Sequence, residues 1–295
     1  MNSIYQQKII DTHIHLWDLQ KYSYDWIANT SNKDLKKNYL LGSFIKDSNS
    51  LNIKKTVHVQ AGINSNLNIE ETKWLQFIAD NNSRGIPNAI VGFVDLVSKK
   101  IEQELDQHMQ FSNFRGIRQI LKHDQKELIN ESNLLKNNKW INNLQILEKN
   151  NLSFDLLIIY HQFKEAAKVI YKYPNLQFIV NHTLWPQDVS TENFALWQDS
   201  IKALSEFDNV SIKLSGFGER DSMWEIENIK PFINYSIEKF GVERCMFGTN
   251  FPVDKAFSSK TYFDYWDSYH TITSHLSLDE KDSLFFKNAE KYYKI

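Results

Sequence analysis

The sequence predicts an α/β protein, a (β/α)8 barrel in one domain spanning residues 1–295, on three observations. Eight short apolar runs recur along its length, most followed by a segment with helical spacing. The runs are continuous rather than alternating, as strands covered on both faces are. No G-x-G-x-x-G turn or phosphate-cradling P-loop follows any of them, which argues against an open nucleotide-binding sheet.

The first run, 8–13, leads through Ile9-Ile10-Asp11-Thr12-His13-Ile14-His15, where alternation along an extended strand turns His13 and His15 to one face, able to converge on one ion or one substrate oxygen. A polar, asparagine-rich excursion over 22–50 follows, with the length of a lid on the active-site face. The second run, 55–60, ends at Gln60, and His58 shares a face with Thr56 and Gln60. The third, 89–96, delivers Asp95. The fourth, 116–121, carries Arg118 with Arg115 just before it, guanidiniums suited to gripping a carboxylate. Arg118 reads equally as an ion-pair partner of Asp95 or Asp155. The fifth, 153–158, holds Asp155 as a structural residue, and the sixth, 177–182, ends Asn181-His182 before Trp185-Pro186. In the seventh, 210–214, Lys213 requires a partner if it is buried. The eighth, 245–250, runs out through Gly248-Thr249-Asn250-Phe251-Pro252. Helical spacing falls over 69–82, 140–150, 162–173, 195–207 and 231–240.

The carboxyl ends of the strands build the active site of such a barrel. That rule selects His13, His15, His182 and Asn250 as catalytic candidates, and Trp17, Gln60, Arg118, Trp185, Lys213 and Phe251 as substrate-binding candidates. Trp26 reads as ordinary packing, and His108, His123, His161, His270 and His275 as surface or loop residues.

Thirty-four basic side chains balance 36 acidic ones for a net charge of −2, with no single-sign block, so neither nucleic acid nor a membrane surface is the expected partner. A small-molecule substrate is. The single cysteine, Cys245, rules out an intramolecular disulfide and a multi-cysteine zinc site, fits a reducing compartment, and reads as a buried strand residue. With no signal-like start and no apolar run of about 18 residues, a soluble cytoplasmic protein is expected. Monomer and homo-oligomer both stay open.

Taken in order, the H-x-H pair, Val59-Gln60, Gly92-Phe93-Val94-Asp95-Leu96, Arg115-Gly116-Ile117-Arg118, Phe154-Asp155-Leu156-Leu157, Asn181-His182, Lys213-Leu214-Ser215-Gly216 and Met246-Phe247-Gly248-Thr249-Asn250-Phe251-Pro252-Val253 resemble the amidohydrolase-related (amidohydrolase 2) family from about Ile9 to about Tyr292. Within it the sequence is most similar to sugar-lactone and dicarboxylate lactonases, such as L-fuconolactonase and 2-pyrone-4,6-dicarboxylate lactonase. The resemblance implies a TIM-barrel hydrolase that opens a small sugar-acid or carboxylated lactone. Some relatives hold a divalent metal through the residues matching His13 and His15, and others use those histidines without one, so the implied cofactor is zinc, manganese or none.

In the family the histidine matching His182 contacts substrate or metal, and an aspartate closing the eighth strand activates water. This chain has Asn250 in place of that aspartate, and Asn181 where the family has an aspartate before the histidine. An amide has no proton affinity near neutral pH, so Asn250 is not a general base, and a divalent site without the carboxylate is weakened. The proton then goes to His182, His13, His15 or Asp254. The expected activity is lactone hydrolysis, with His13, His15 and His182 polarising the carbonyl, Arg118 anchoring an acid group and Asn250 positioning water. The alternatives are a barrel that binds such a ligand without turning it over, and a decarboxylase.

Overall fold

The structure, a computed structural model, describes residues 3–121, 133–186, 191–218 and 225–295. Eight strands stand side by side in chain order, each parallel to the next: β1 (Ile9–Ile14), β2 (Ile53–Val59), β3 (Ala89–Gly92), β4 (Phe114–Ile117), β5 (Ser153–Leu156), β6 (Phe178–Val180), β7 (Val210–Leu214) and β8 (Cys245–Phe247). Between β8 and β1 the seam is closed by a parallel bridge from Ile14 to Phe251, where Asn250 N donates to His13 O at 2.8 Å and His15 N donates to Phe251 O at 2.7 Å. The predicted (β/α)8 barrel is therefore the observed fold. Nearly every strand residue is buried, which is why the runs read as continuous rather than alternating.

Helices Asn68–Asp80, Asn138–Lys149, Phe163–Lys172, Thr191–Ser205 and Ile226–Phe240 cover the outside where helical spacing predicted them. Their starts follow local chemistry: the Asn137 side chain accepts from the N–H groups of Lys139 and Trp140 and so caps its helix. The last of the five begins earlier than predicted, at Ile226, with Pro231 inside it rather than at its start. A further helix, Ile101–Met109, corrects the reading of His108 as a surface residue. That ring is fully buried, with Nδ1 2.9 Å from Thr72 Oγ1 and Nε2 3.1 Å from Phe93 O, because it continues the apolar face of Ile101 and Leu105. His123 lies outside the described residues.

Val57, Val59, Ala89, Val91, Ile179 and Met246 cluster with Tyr292 and Tyr293 of the final helix, Asn288–Tyr293. Glu290 pairs with Lys55 near the start of β2, so this helix plugs the barrel at the strands' amino ends. The opposite end lies at the carboxyl ends of the strands. There the 22–50 excursion holds two short helices, Asp25–Asn29 and Leu41–Ser48. It is tied down by a Trp17–Tyr39 bridge, by Trp26 Nε1 donating to Ala61 O at 2.7 Å and by Asn32 Nδ2 donating to Ala256 O at 2.7 Å. Cys245 is buried at the start of β8. No described helix is long and apolar enough to cross a membrane.

Candidate active site

At the carboxyl ends of the strands lies a cavity of about 440 Å³, within the range of small-molecule sites. Its polar floor is His15, Arg118, His182 and Asn250, from the segments that leave β1, β4, β6 and β8. Its walls are largely apolar, with Trp26, Ile120, Leu157, Trp185, Val253 and Phe257. Trp26, Ile120 and Phe257 remain 37%, 49% and 38% exposed. Exposed apolar groups gathered around a polar floor mark a ligand mouth rather than incomplete packing.

The two histidines of β1 share a face as predicted, with ring centroids 5.0 Å apart, and His13 lies 4.4 Å from His182. His13 sits behind the floor: Arg118 Nη1 is 3.4 Å from its Nε2 and Lys213 Nζ 3.5 Å from its Nδ1. Burial, followed by the neighbouring charges of Lys213, His182, His15 and Arg118, holds its pKa well below the ordinary histidine value. His15 places Nδ1 2.7 Å from Val59 O and Nε2 3.1 Å from Asn250 Oδ1, and burial with the Arg118 charge pushes it down as well. Both rings are therefore neutral at pH 7. His58, in mid-strand, is buried with Nε2 3.3 Å from Leu16 O, and burial lowers it to about 3.

The exit of β6 is unusual. His182, Thr183, Leu184 and Trp185 all have φ between 50° and 62°, a run of left-handed residues with no glycine among them. Such a conformation costs about 1–2 kcal/mol per residue. The turn is held by Trp185 N donating to His182 O at 2.7 Å and by Trp197 Nε1 donating to Thr183 O at 2.8 Å. It brings the His182 and Trp185 rings to 5.1 Å from each other over the cavity. His182 Nδ1 is 3.1 Å from Ser215 Oγ. Beneath it Gly216 has φ +75°, and a Cβ there would come 2.5 Å from His182 Cγ, so only glycine leaves the ring its place.

Of the two readings of Arg118, the structure favours the cavity. Asp155 is instead held by Lys213 Nζ at 2.6 Å, with Asn181 Nδ2 at 2.9 Å and Tyr293 OH at 3.0 Å, and Asp95 accepts from Gln119 Nε2 at 3.1 Å. Arg118 Nη2 donates to Gln60 O at 2.7 Å, which seats the guanidinium on the floor. Arg115 turns away, toward Ser112 O and Lys294 O.

Four expected substrate-binding residues lie elsewhere. Lys213 is fully buried in its ion pair, and the Gln60 side chain accepts from Gly62 N. Phe251 is fully buried against Tyr262 and Tyr265, and Trp17, its Nε1 donating to Lys37 O, borders a separate hollow with Tyr39 and Lys255. Trp26, expected only to pack, lines the cavity in their stead. Its indole is aimed there by the Ala61 carbonyl, a tertiary contact with no local sequence mark.

The donor set does not suit zinc or manganese. A divalent cation takes neutral lone pairs, and a carboxylate adds the balancing charge. Here both nitrogens of His13 face cationic groups, and Asn250 carries no charge to balance the ion. Among the described residues no three His, Cys, Asp or Glu side chains are arranged to hold a metal ion.

An uncharacterized protein of Sinorhizobium fredii, y4mH, is 36% identical over 97% of this chain and 98% of its own length. The L-fucono-1,5-lactonase of Burkholderia ambifaria is 23% identical over 97% of this chain and 95% of its own. Among solved structures, an amidohydrolase from Burkholderia multivorans with bound zinc superposes with a TM-score of 0.84 at 20% identity, covering 97% of this chain and 99% of that one. The amidohydrolase family pattern matches residues 10–295, and with the barrel and its mouth of histidines this chain belongs to the amidohydrolase family.

Proposed function

We propose that the chain is a lactonase that opens a small lactone bearing an apolar substituent and does so without a resident metal. The observation that carries this reading is the cavity itself, a floor of His15, Arg118, His182 and Asn250 under walls of tryptophan, leucine, isoleucine and phenylalanine. The likeness to lactonases adds to it. Arg118, pinned on the floor by Gln60 O, meets the lactone carbonyl oxygen and stabilises the negative charge that develops there. With the Nδ1 hydrogen of His182 donated to Ser215 Oγ, Nε2 takes the proton of the attacking water. Water adds to the carbonyl carbon, the ring C–O bond breaks, and His182 returns the proton to the departing alkoxide, leaving a hydroxy acid. Asn250 takes no proton in this scheme.

Acid release from a panel of aldonolactones and alkyl-substituted lactones tests the reading. Turnover by the parent and a fall of about 10²–10⁴-fold in His182→Ala are expected, the usual worth of a general base. Ligand binding by calorimetry with no turnover of any lactone would make the chain a binding barrel instead.

A further inference from the structure

Two cavity residues hang on one short segment, the exit of β2. Gln60 O accepts from Arg118 Nη2 and Ala61 O from Trp26 Nε1, each at 2.7 Å. The N–H groups of the same segment are bound as well: Gln60 N donates to Val91 O at 2.7 Å, Ala61 N to Glu71 Oε1 at 3.0 Å and Gly62 N to the Gln60 side-chain oxygen at 2.7 Å. Gly62 has φ +71°, and a Cβ there would come 2.8 Å from Trp26 Nε1, so the indole packs directly on the segment.

Gln60 C=O and Ala61 N–H belong to one planar peptide unit and point in opposite directions, so a partner that fixes the N–H also aims the carbonyl. Here Glu71 holds the N–H and Arg118 takes the carbonyl. Glu71 is buried in the first turn of the helix Asn68–Asp80, while its neighbour Glu70 stays at the surface beside Lys73. The start of that helix is tied to the β3 exit by Asn68 Nδ2 donating to Phe93 O at 3.1 Å. The carboxyl therefore reaches the peptide from a fixed element.

We infer that Glu71 is a positioning residue of the cavity: it holds the Gln60–Ala61 peptide so that Gln60 O seats Arg118 and Ala61 O aims the Trp26 indole. Glu71 itself does not line the cavity. Losing it frees the peptide to rotate, which shifts the Arg118 guanidinium from the oxygen it serves and loosens one wall. The effect on turnover rests on the lactonase reading above, whereas the hold on the peptide does not.

Glu71→Gln and Glu71→Met in the full chain test this. Glutamine keeps an oxygen for Ala61 N, and methionine has a similar length without it. Expected are a kcat near the parent value for Glu71→Gln and a fall of about 10²-fold for Glu71→Met, the usual result of moving a reacting group by about 1 Å. In an Arg118→Ala background Glu71→Met should lower kcat little, because the group it acts through is gone, whereas a general loosening of the barrel would lower kcat equally in both backgrounds. The indole N–H resonance of Trp26, identified by its loss in Trp26→Phe, should keep its position in Glu71→Gln and move in Glu71→Met with no substrate present. If Glu71→Met does not fold, Glu71→Asp, a methylene too short to reach Ala61 N, takes its place. Any one of a parent-like kcat, an unmoved Trp26 resonance or additive losses in the double variant overturns the inference. If the parent hydrolyses no lactone, the lactonase reading fails and the Trp26 resonance alone decides this one. If the parent is active and Glu71→Met matches it, this inference fails while the lactonase reading stands.

Discussion

Removing the charge of Lys213 should cost the protein a large part of its stability, because Asp155 would stay behind as a buried anion. The two are 2.6 Å apart with neither side chain exposed. At an effective dielectric of about 20 that separation gives a gross attraction of about 6 kcal/mol, against which the desolvation of both groups is set. Without the lysine, Asp155 keeps, among the described residues, the neutral donors Asn181 Nδ2 and Tyr293 OH. Breaking such a pair from one side typically costs about 3–5 kcal/mol. Lys213→Met is therefore expected to lose that amount in urea denaturation at pH 7.5, and Asp155→Asn a similar amount. The double variant, with no charge left buried, should lose clearly less than the sum. Costs that add within about 0.5 kcal/mol would show the two groups to be energetically independent and refute the reasoning.

Three further outcomes follow from the geometry. Gly216→Ala places a methyl group 2.5 Å from His182 Cγ in a left-handed backbone position, so it should cost more than about 1 kcal/mol and lower kcat by displacing that ring; unchanged kinetics would separate His182 from the chemistry. Trp26→Ala removes one wall of the cavity and should raise KM for alkyl-substituted lactones about tenfold while sparing kcat, a pattern that steady-state kinetics across the panel would show. Burial raises Glu71 from 4.5 to about 7, so the folded state holds its proton more tightly than the unfolded chain. That contribution is favourable at low pH and is lost as pH rises from 4.5 to about 7, by at most about 3 kcal/mol. Glu71→Gln keeps an acceptor for Ala61 N and removes this dependence, so its thermal midpoint should gain on the parent between pH 5 and 8, and parallel curves would contradict the assignment.

The barrel was legible because parallel strands covered on both faces leave continuous apolar runs, and each of the eight runs overlaps a strand, the fourth only at Gly116 and Ile117 because β4 begins earlier, at Phe114. His15, Arg118, His182 and Asn250 were legible from their place at strand ends, where the fold itself puts the mouth. His108 was open to the same kind of reading, since Ile101, Leu105 and His108 recur at helical spacing. What stayed hidden depends on contacts across the chain. Trp26 reaches the cavity through a hydrogen bond to Ala61 O, Lys213 finds Asp155 through the register of β5, β6 and β7, and the left-handed turn after β6 has no glycine to announce it. Phe251 and Trp17 flank the site in sequence, yet apolar packing behind the mouth took the first and a neighbouring hollow the second.

The claim that a floor of arginine, histidine and asparagine replaces a metal centre is tested most directly by lactone turnover after exhaustive chelation, with metal content measured on the same sample. Full activity in metal-free protein, unchanged when zinc or manganese is added back, is the predicted result. Activity that falls as the metal is withdrawn and returns in proportion to the zinc restored would contradict it.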